Sequence, residues 1–191
     1  MRRIIQIKGN HGSGKTTLMN NLIKKGDFIK QNLRFKQINC CLLIDKNTVI
    51  LAHQNSKGCN FDGLDAIIRD RNDLLSLVKI IITKFTPRDL IFEGAIYGAT
   101  FKLSRDIEAV GATFQYDYIN VWLRNDVEKS IQHILLRNGG KSFNFKTIKT
   151  RAKRFPKLFK DLEQAGQPVH VIDVDHLSPQ QVLEKFLKVV S

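Results

Sequence analysis

Three scarcities narrow what this 191-residue chain can be: it has little cysteine, little proline and no long apolar run. Cys40, Cys41 and Cys59 make neither a disulfide framework nor a zinc-ligand spacing, so a reducing cytoplasm is the expected home. No apolar stretch nears the roughly 20 residues that cross a bilayer, and the apolar part of the opening MRRIIQIKGN is too short for a signal peptide, so no membrane association is expected. With no repeat, low-complexity tract or evident linker, residues 1–191 read as one domain. Acidic residues are scarce too: 18 against 31 Lys and Arg leave a net charge of +13, which favours a polyanionic partner. The imbalance is sharpest from Lys141 to Lys160, KSFNFKTIKTRAKRFPKLFK, which holds eight basic residues and no acidic one.

The first motif stands near the start. In IIQIKGNHGSGKTTLMNNLI, Gly9, four residues, then Gly14, Lys15 and Thr16 fit G-x-x-x-x-G-K-[ST], the phosphate-binding P-loop. Glycines let the backbone turn tightly and aim successive N–H groups at phosphate oxygens, and the helix that follows adds its positive end. Ile4, Ile5 and Ile7 read as a buried strand before the loop, while Leu18, Met19, Leu22 and Ile23 recur at helical spacing after it. Strand, loop and helix in that order make residues Gly9, Asn10, His11, Gly12, Ser13, Gly14, Lys15, Thr16 and Thr17 the expected cradle for ATP. Lys15, expected to face the surface, would reach the terminal phosphates, and Thr16 would ligate Mg²⁺.

Further along, QINCCLLIDKNTVILAHQ reads as a hairpin turning at Asp45–Asn47, and the apolar positions from Leu64 to Phe85 predict one long helix. DLIFEG, YINVWL and PVHVIDV read as strands, helical patterns follow the last two, and Pro179 opens the final helix. Alternating strands and helices predict an α/β P-loop NTPase fold: a three-layer sandwich with a mostly parallel five-stranded sheet and an added β-hairpin. Ligands in such sheets sit beyond the carboxyl ends of the strands, so strand ends are where to look.

No Asn-Lys-x-Asp base-recognition motif of switch GTPases is present, and a motor-type ATPase generally needs a larger chain or partner subunits. A kinase needs an acceptor site, a proton acceptor and a closing arginine. Glu93, ending DLIFEG, is placed to hold a water of the Mg²⁺ shell or to orient the acceptor. In CNFDGLDAIIRDR, Asp62 and Asp65 form a capping box for the long helix, or one of them receives the hydroxyl proton; Asp62 is assigned to the cap beside the acceptor and Asp65 to catalysis. Arg69 and Arg71 contact an anionic acceptor or merely flank the helix. Arg137, ending a helix before Asn138-Gly139-Gly140-Lys141, is the expected lid arginine, with residues 137–155 as the helical lid. Phe155, Leu158, Phe159 and Leu162 read as a core face, leaving Phe143 and Phe145 free to stack on bases and Lys141, Lys146 and Lys149 to meet phosphates.

Together, GNHGSGKTT, the hairpin, GCNFDGLDAI, LIFEG and LLRNGGKSFN resemble phage-encoded P-loop kinases related to nucleotide kinases, among them those that phosphorylate 5-hydroxymethyluracil in phage DNA. The resemblance implies transfer of the γ-phosphoryl group of ATP to the hydroxymethyl group of a pyrimidine base in DNA, in the cytoplasm of an infected bacterium. It implies Lys15, Asp65, Glu93 and Arg137 as catalytic residues, and a DNA base flipped from its stack. Where the related kinases carry Gly-Gly-x-Asp in the middle loop, this chain has Asp62-Gly63-Leu64-Asp65, so its acceptor pocket differs. A kinase of free nucleosides or nucleotides is the alternative, and a non-enzymatic ATP-dependent DNA-binding module the third reading.

Overall fold

The computed structural model describes residues 1–55, 58–60, 68, 70–94, 100–137, 139 and 144–191. Strand β1 (Arg2–Gly9) runs through the middle of an eight-stranded sheet, hydrogen-bonded in parallel to β6 (Asp89–Glu93) on one side and β7 (Tyr116–Arg124) on the other. The order is β2-β3-β4-β6-β1-β7-β8, with β2 (Ile29–Phe35), β3 (Ile38–Ile44), β4 (Thr48–Asn55) and β8 (Val169–Asp173), while the short β5 (Gly58–Asn60) pairs β4. Five strands, β4, β6, β1, β7 and β8, run parallel, and the mostly parallel sheet is the one expected; β4, however, is read from the sequence as part of an added hairpin and is in fact one of the parallel strands. The hairpin at Asp45–Asn47 is the β3–β4 turn, where Asp45 Oδ1 accepts from Asn47 N (2.8 Å) and Thr48 N (2.6 Å). β2 is an addition that the sequence reading lacked. It is an edge strand, mostly exposed and carrying Lys30 and Arg34, so it has no apolar run to announce it.

Alternation along β1 divides the core in two. Ile4 packs with Val49, Leu51, Leu90 and Tyr118 under helices α2 (Arg71–Phe85) and α3 (Phe101–Thr113). Ile5 and Ile7 face the other way, against α1 (Lys15–Lys25) and α6 (Pro179–Val189). Helices on both faces give the three layers that a buried parallel sheet requires. Helix α5 (Phe145–Gln164) joins the α2/α3 face. Phe159 stacks on Trp122 of β7 with centroids 4.4 Å apart, and Phe155, Leu158 and Leu162 complete this second core, as expected from their spacing. Helix α4 (Val127–Arg137) meets the start of α5 through Ile131, Ile134 and Ile148. Phe145 packs there half-buried, so it is not the free aromatic that the sequence suggested. Among the described residues no helix is long and apolar enough to cross a membrane.

Two local expectations are corrected. The helix ending at Phe85 begins at Arg71 rather than near Leu64, with Asp70 as its N-cap (Oδ1 accepting from Asn72 N, 2.7 Å); the expected cap Asp62 lies outside the described residues. Arg71 pairs with Asp106 at 3.2 Å and ties α2 to α3. Cys40 is a buried free thiol but Cys41 is disulfide-bonded, against the expectation of no disulfide. Helix α3 was not foreseen, although Leu103, Ile107 and Val110 recur at helical spacing.

Lys8, wholly buried on the α3 side of β1, donates from Nζ to Ser104 Oγ (2.5 Å) and lies 5.8 Å from the centroid of the Tyr118 ring. Burial pushes its ammonium down from 10.5 to about 7. Between those values the unfolded chain holds a proton that the folded chain has released, so stability rises with pH across the window. Lys8→Met should therefore unfold at a higher temperature at pH 7, and in chemical denaturation it should lack the wild-type rise of about 1.4 kcal/mol per pH unit between roughly pH 7 and 10. Parallel pH profiles of the two proteins would refute the assignment.

Candidate functional site

The turn after β1 is made possible by two close approaches. A Cβ at Gly9 (φ 154°) would lie 2.5 Å from Ser13 Oγ and 2.8 Å from the carbonyl oxygen of Leu123 at the end of β7. A Cβ at Gly12 (φ 78°) would lie 2.5 Å from the carbonyl oxygen of Ser130 in α4. Only glycine fits either place. His133, one turn further along α4, brings Nδ1 to 3.1 Å from Gly12 O, and Asn10 Nδ2 donates to Ile148 O in the first turn of α5 (3.3 Å). The loop is thus wedged between the end of β7, α4 and the start of α5.

Helix α1 starts directly from this loop. Its N-cap is Gly14, no side chain caps it and its first turn carries no acidic residue, whereas α2 has its Asp70 cap and α6 a full capping box from Ser178 and Gln181. The amides of α1, which open onto the loop, are therefore a set that an anion can satisfy. Lys15 is not surface-facing as expected. It is 7% exposed, and Nζ donates to the carbonyls of Gly9 (3.1 Å) and Asn10 (2.8 Å), which keeps its charge over the loop.

Around the loop lies a cavity of about 550 Å³. His11, Gly12, Ser13, Gly14, Lys15, Thr16 and Thr17 form its floor, Glu93 reaches it from the end of β6, and Arg137 lines it from the last turn of α4. Glu93 is buried (4% exposed) although it ends its strand. Gly139 takes a left-handed conformation (φ 61°) and its N–H donates to Leu136 O at 3.3 Å, just beyond the end of α4. The sequence thus named residues from three separate segments that the fold brings to one cavity. Gly9 and Asn10 shape the loop from behind.

Sequence reasoning missed His133 and the apolar wall formed by Val174, Leu177, Pro179 and Val182. That wall is the β8–α6 connection, fixed to α4 by polar contacts: Asp126 N donates to Asp175 Oδ2 (3.0 Å) and Lys129 Nζ to Asp175 O (3.1 Å). Asp126 Oδ1 in turn caps α4, accepting from Glu128 N (2.8 Å). A valine and a leucine beyond a strand end were the available signal. Lys146 and Lys149 are exposed on α5, and Lys149 pairs with Glu128 at 3.4 Å, which removes part of its charge from any partner. Asp62, Asp65, Arg69, Lys141 and Phe143 lie outside the described residues. Among the described residues no group of three or more His, Cys, Asp and Glu side chains is poised to hold a metal, but Thr16 and Glu93 offer oxygen donors to the same cavity. That donor set suits a hard cation held chiefly by substrate phosphates.

Gly12→Ala should force α4 away from the loop. The expected result is a loss of about 1–3 kcal/mol of stability and at least tenfold weaker ATP binding by calorimetry. An alanine variant with wild-type melting and affinity would contradict the wedge.

No protein-family model matches the chain. The 5-hmdU DNA kinase of Delftia phage PhiW-14 is 30% identical to it over 175 residues, 85% of this chain and 63% of that protein, so the chain spans somewhat less than two thirds of its relative. The tunicamycin resistance protein of Deinococcus radiodurans superposes with a TM-score of 0.59 at 16% identity, covering 100% of this chain and 96% of that one. A structure from Thermus thermophilus gives 0.51 at 14% identity, covering 99% and 96%. Likeness at these identities is likeness of fold. The chain has the P-loop α/β fold of these structures and is similar, through 85% of its length, to a phage DNA kinase.

Proposed function

We propose that the chain is an ATP-dependent kinase whose acceptor is a hydroxyl on a pyrimidine base in DNA, the hydroxymethyl group of 5-hydroxymethyluracil. The observation that carries the reading is the single cavity in which the P-loop, Glu93 and Arg137 meet. A buried carboxylate suited to magnesium and an arginine from another segment, both facing the phosphate cradle, are the groups that a phosphoryl-transfer site uses. The likeness to a phage 5-hmdU DNA kinase supports the choice of acceptor, and the net charge of +13 supports a polymer over a free nucleoside.

In this reading residues 1–191 act as one kinase domain and residues 137–155 as its lid, working in the cytoplasm of an infected cell. The amides of the P-loop and of the first turn of α1 hold the β- and γ-phosphates, and Lys15 moves its ammonium from the Gly9 and Asn10 carbonyls to phosphate oxygens. Thr16 and Glu93 would hold magnesium, which would supply neutralisation of the phosphate charge. The hydroxymethyl oxygen attacks the γ-phosphorus, the bond to the β–γ bridging oxygen breaks, and ADP leaves. Asp65 takes the hydroxyl proton, with Asp62 and Arg69 beside the acceptor. Arg137 stabilises charge on the phosphoryl group in flight. The base is flipped to reach the site, and Lys141, Phe143, Lys146 and Lys149 hold the strand next to it.

The test is initial rate against sodium chloride concentration, with a 5-hydroxymethyluracil oligonucleotide and the matching free nucleoside run in parallel. A DNA acceptor releases counterions on binding, so its kcat/KM should fall with a log–log slope of roughly −0.7 to −0.9 for each phosphate contacted, while the nucleoside stays poor at every salt concentration. A nucleoside phosphorylated as fast as the oligonucleotide would transfer the argument to a small-molecule kinase.

A further inference from the structure

The basic face of α5 does not end at the lid. Thr150, Lys153, Arg154, Lys157, Leu158 and Asp161 form one wall of an open groove of about 410 Å³, and Phe101, the first residue of α3, closes it from the other side. Phe101 is 39% exposed, one of few large apolar side chains left in solvent, although α3 buries Leu103 and Ile107 a turn or two later. Lys102, Lys153, Arg154 and Lys157 are all exposed, and none is ion-paired among the described residues. Some surface cations elsewhere, among them Lys36, Arg71, Arg105, Arg124, Lys129 and Lys149, have a carboxylate partner, while others, such as Lys24, Lys46, Lys79 and Lys146, have none among the described residues. What sets the groove apart is that Lys153, Arg154 and Lys157 share one concave surface with an exposed aromatic ring, and Asp161 is the acidic residue in its lining.

Resting on the kinase reading above, we infer that this groove binds the single DNA strand next to the flipped acceptor base. Lys153, Arg154 and Lys157 meet consecutive phosphates, and Phe101 stacks on a neighbouring base. Position supports the assignment. Asn10 of the P-loop is bonded to Ile148 in the first turn of α5, and Thr150 to Lys157 lie about 3 to 14 Å further along that helix at 1.5 Å per residue. A strand leaving the active site along α5 meets these cations within a few nucleotides. On the other side Phe101 is eight residues beyond Glu93, at the start of the helix that follows β6. Cations that track a backbone beside an aromatic platform are the pattern of single-strand binding, and stacking there tolerates any base.

The strand is tested by fluorescence anisotropy of a labelled single-stranded oligonucleotide carrying one central 5-hydroxymethyluracil, titrated at several salt concentrations. The triple variant Lys153→Gln, Arg154→Gln, Lys157→Gln should bind at least tenfold more weakly at low salt, with a log–log salt slope flatter by about two units, at about 0.7 for each lost phosphate contact. Phe101→Ala should bind about tenfold more weakly with the slope unchanged, and Phe101→Trp should restore binding. ATP affinity by calorimetry should stay at the wild-type value in all of them. Wild-type binding and slope in the triple variant would overturn the groove while leaving the kinase reading intact, and so would a Phe101→Ala variant that binds normally. A wild-type protein that phosphorylates the free nucleoside but binds no oligonucleotide would overturn the DNA acceptor itself, and the groove with it.

Discussion

The close approach of the P-loop backbone to β7 and α4 is the constraint on which the rest depends. With Gly9 against Leu123 O and Gly12 against Ser130 O, there is no room for a side chain, so the loop is fixed by backbone sterics before any ligand is considered. The same contact positions α4, because His133 and the loop can meet only if Ser130 sits over Gly12. α4 then delivers Arg137 to the cavity, and the β8–α6 wall follows because Asp175 is bonded to the start of α4. A phosphate cradle, an arginine from another segment and an apolar wall are thus consequences of one packing contact at the carboxyl end of the sheet.

The basic helix α5 is held by different forces on its two faces. The inner face buries Phe155, Phe159 and Leu162 on Trp122, and each such aromatic contributes on the order of a few kcal/mol through burial and stacking. Its cations are consequently held in fixed positions. Pro156 within the helix costs one backbone hydrogen bond, and the aromatic cluster around it offsets that loss. Ile148 joins α5 to α4 through Ile131 and Ile134, and Asn10 joins it to the P-loop, so nucleotide site and basic face form one packed unit.

Legibility in the sequence followed the range of the interaction. The P-loop, the parallel strands β1, β6, β7 and β8, the core face of α5 and the helix ending at Arg137 are written in local spacing and glycine placement, and the structure has them where they were read. β2 escaped because an exposed edge strand has little apolar patterning, and the helix ending at Phe85 starts later than its apolar spacing suggests, because Asp70 offers a cap that the periodicity does not mark. Lys15 was expected at the surface because lysine is usually solvated. Its burial follows from the loop's own carbonyls, which a linear reading cannot bring near. His133, the Val174–Val182 wall and the Phe101 groove are products of tertiary packing, and no local signal joins their members.

The central claim is that phosphate held in this cavity passes to a hydroxyl on a DNA base. The most direct measurement uses γ-labelled ATP with two oligonucleotides differing only in 5-hydroxymethyluracil or thymine at one position, followed by digestion to nucleosides and chromatography. The account predicts label on the hydroxymethyluracil product alone, and none from the thymine oligonucleotide. Label that stays out of both strands, with active protein and magnesium present, would contradict it.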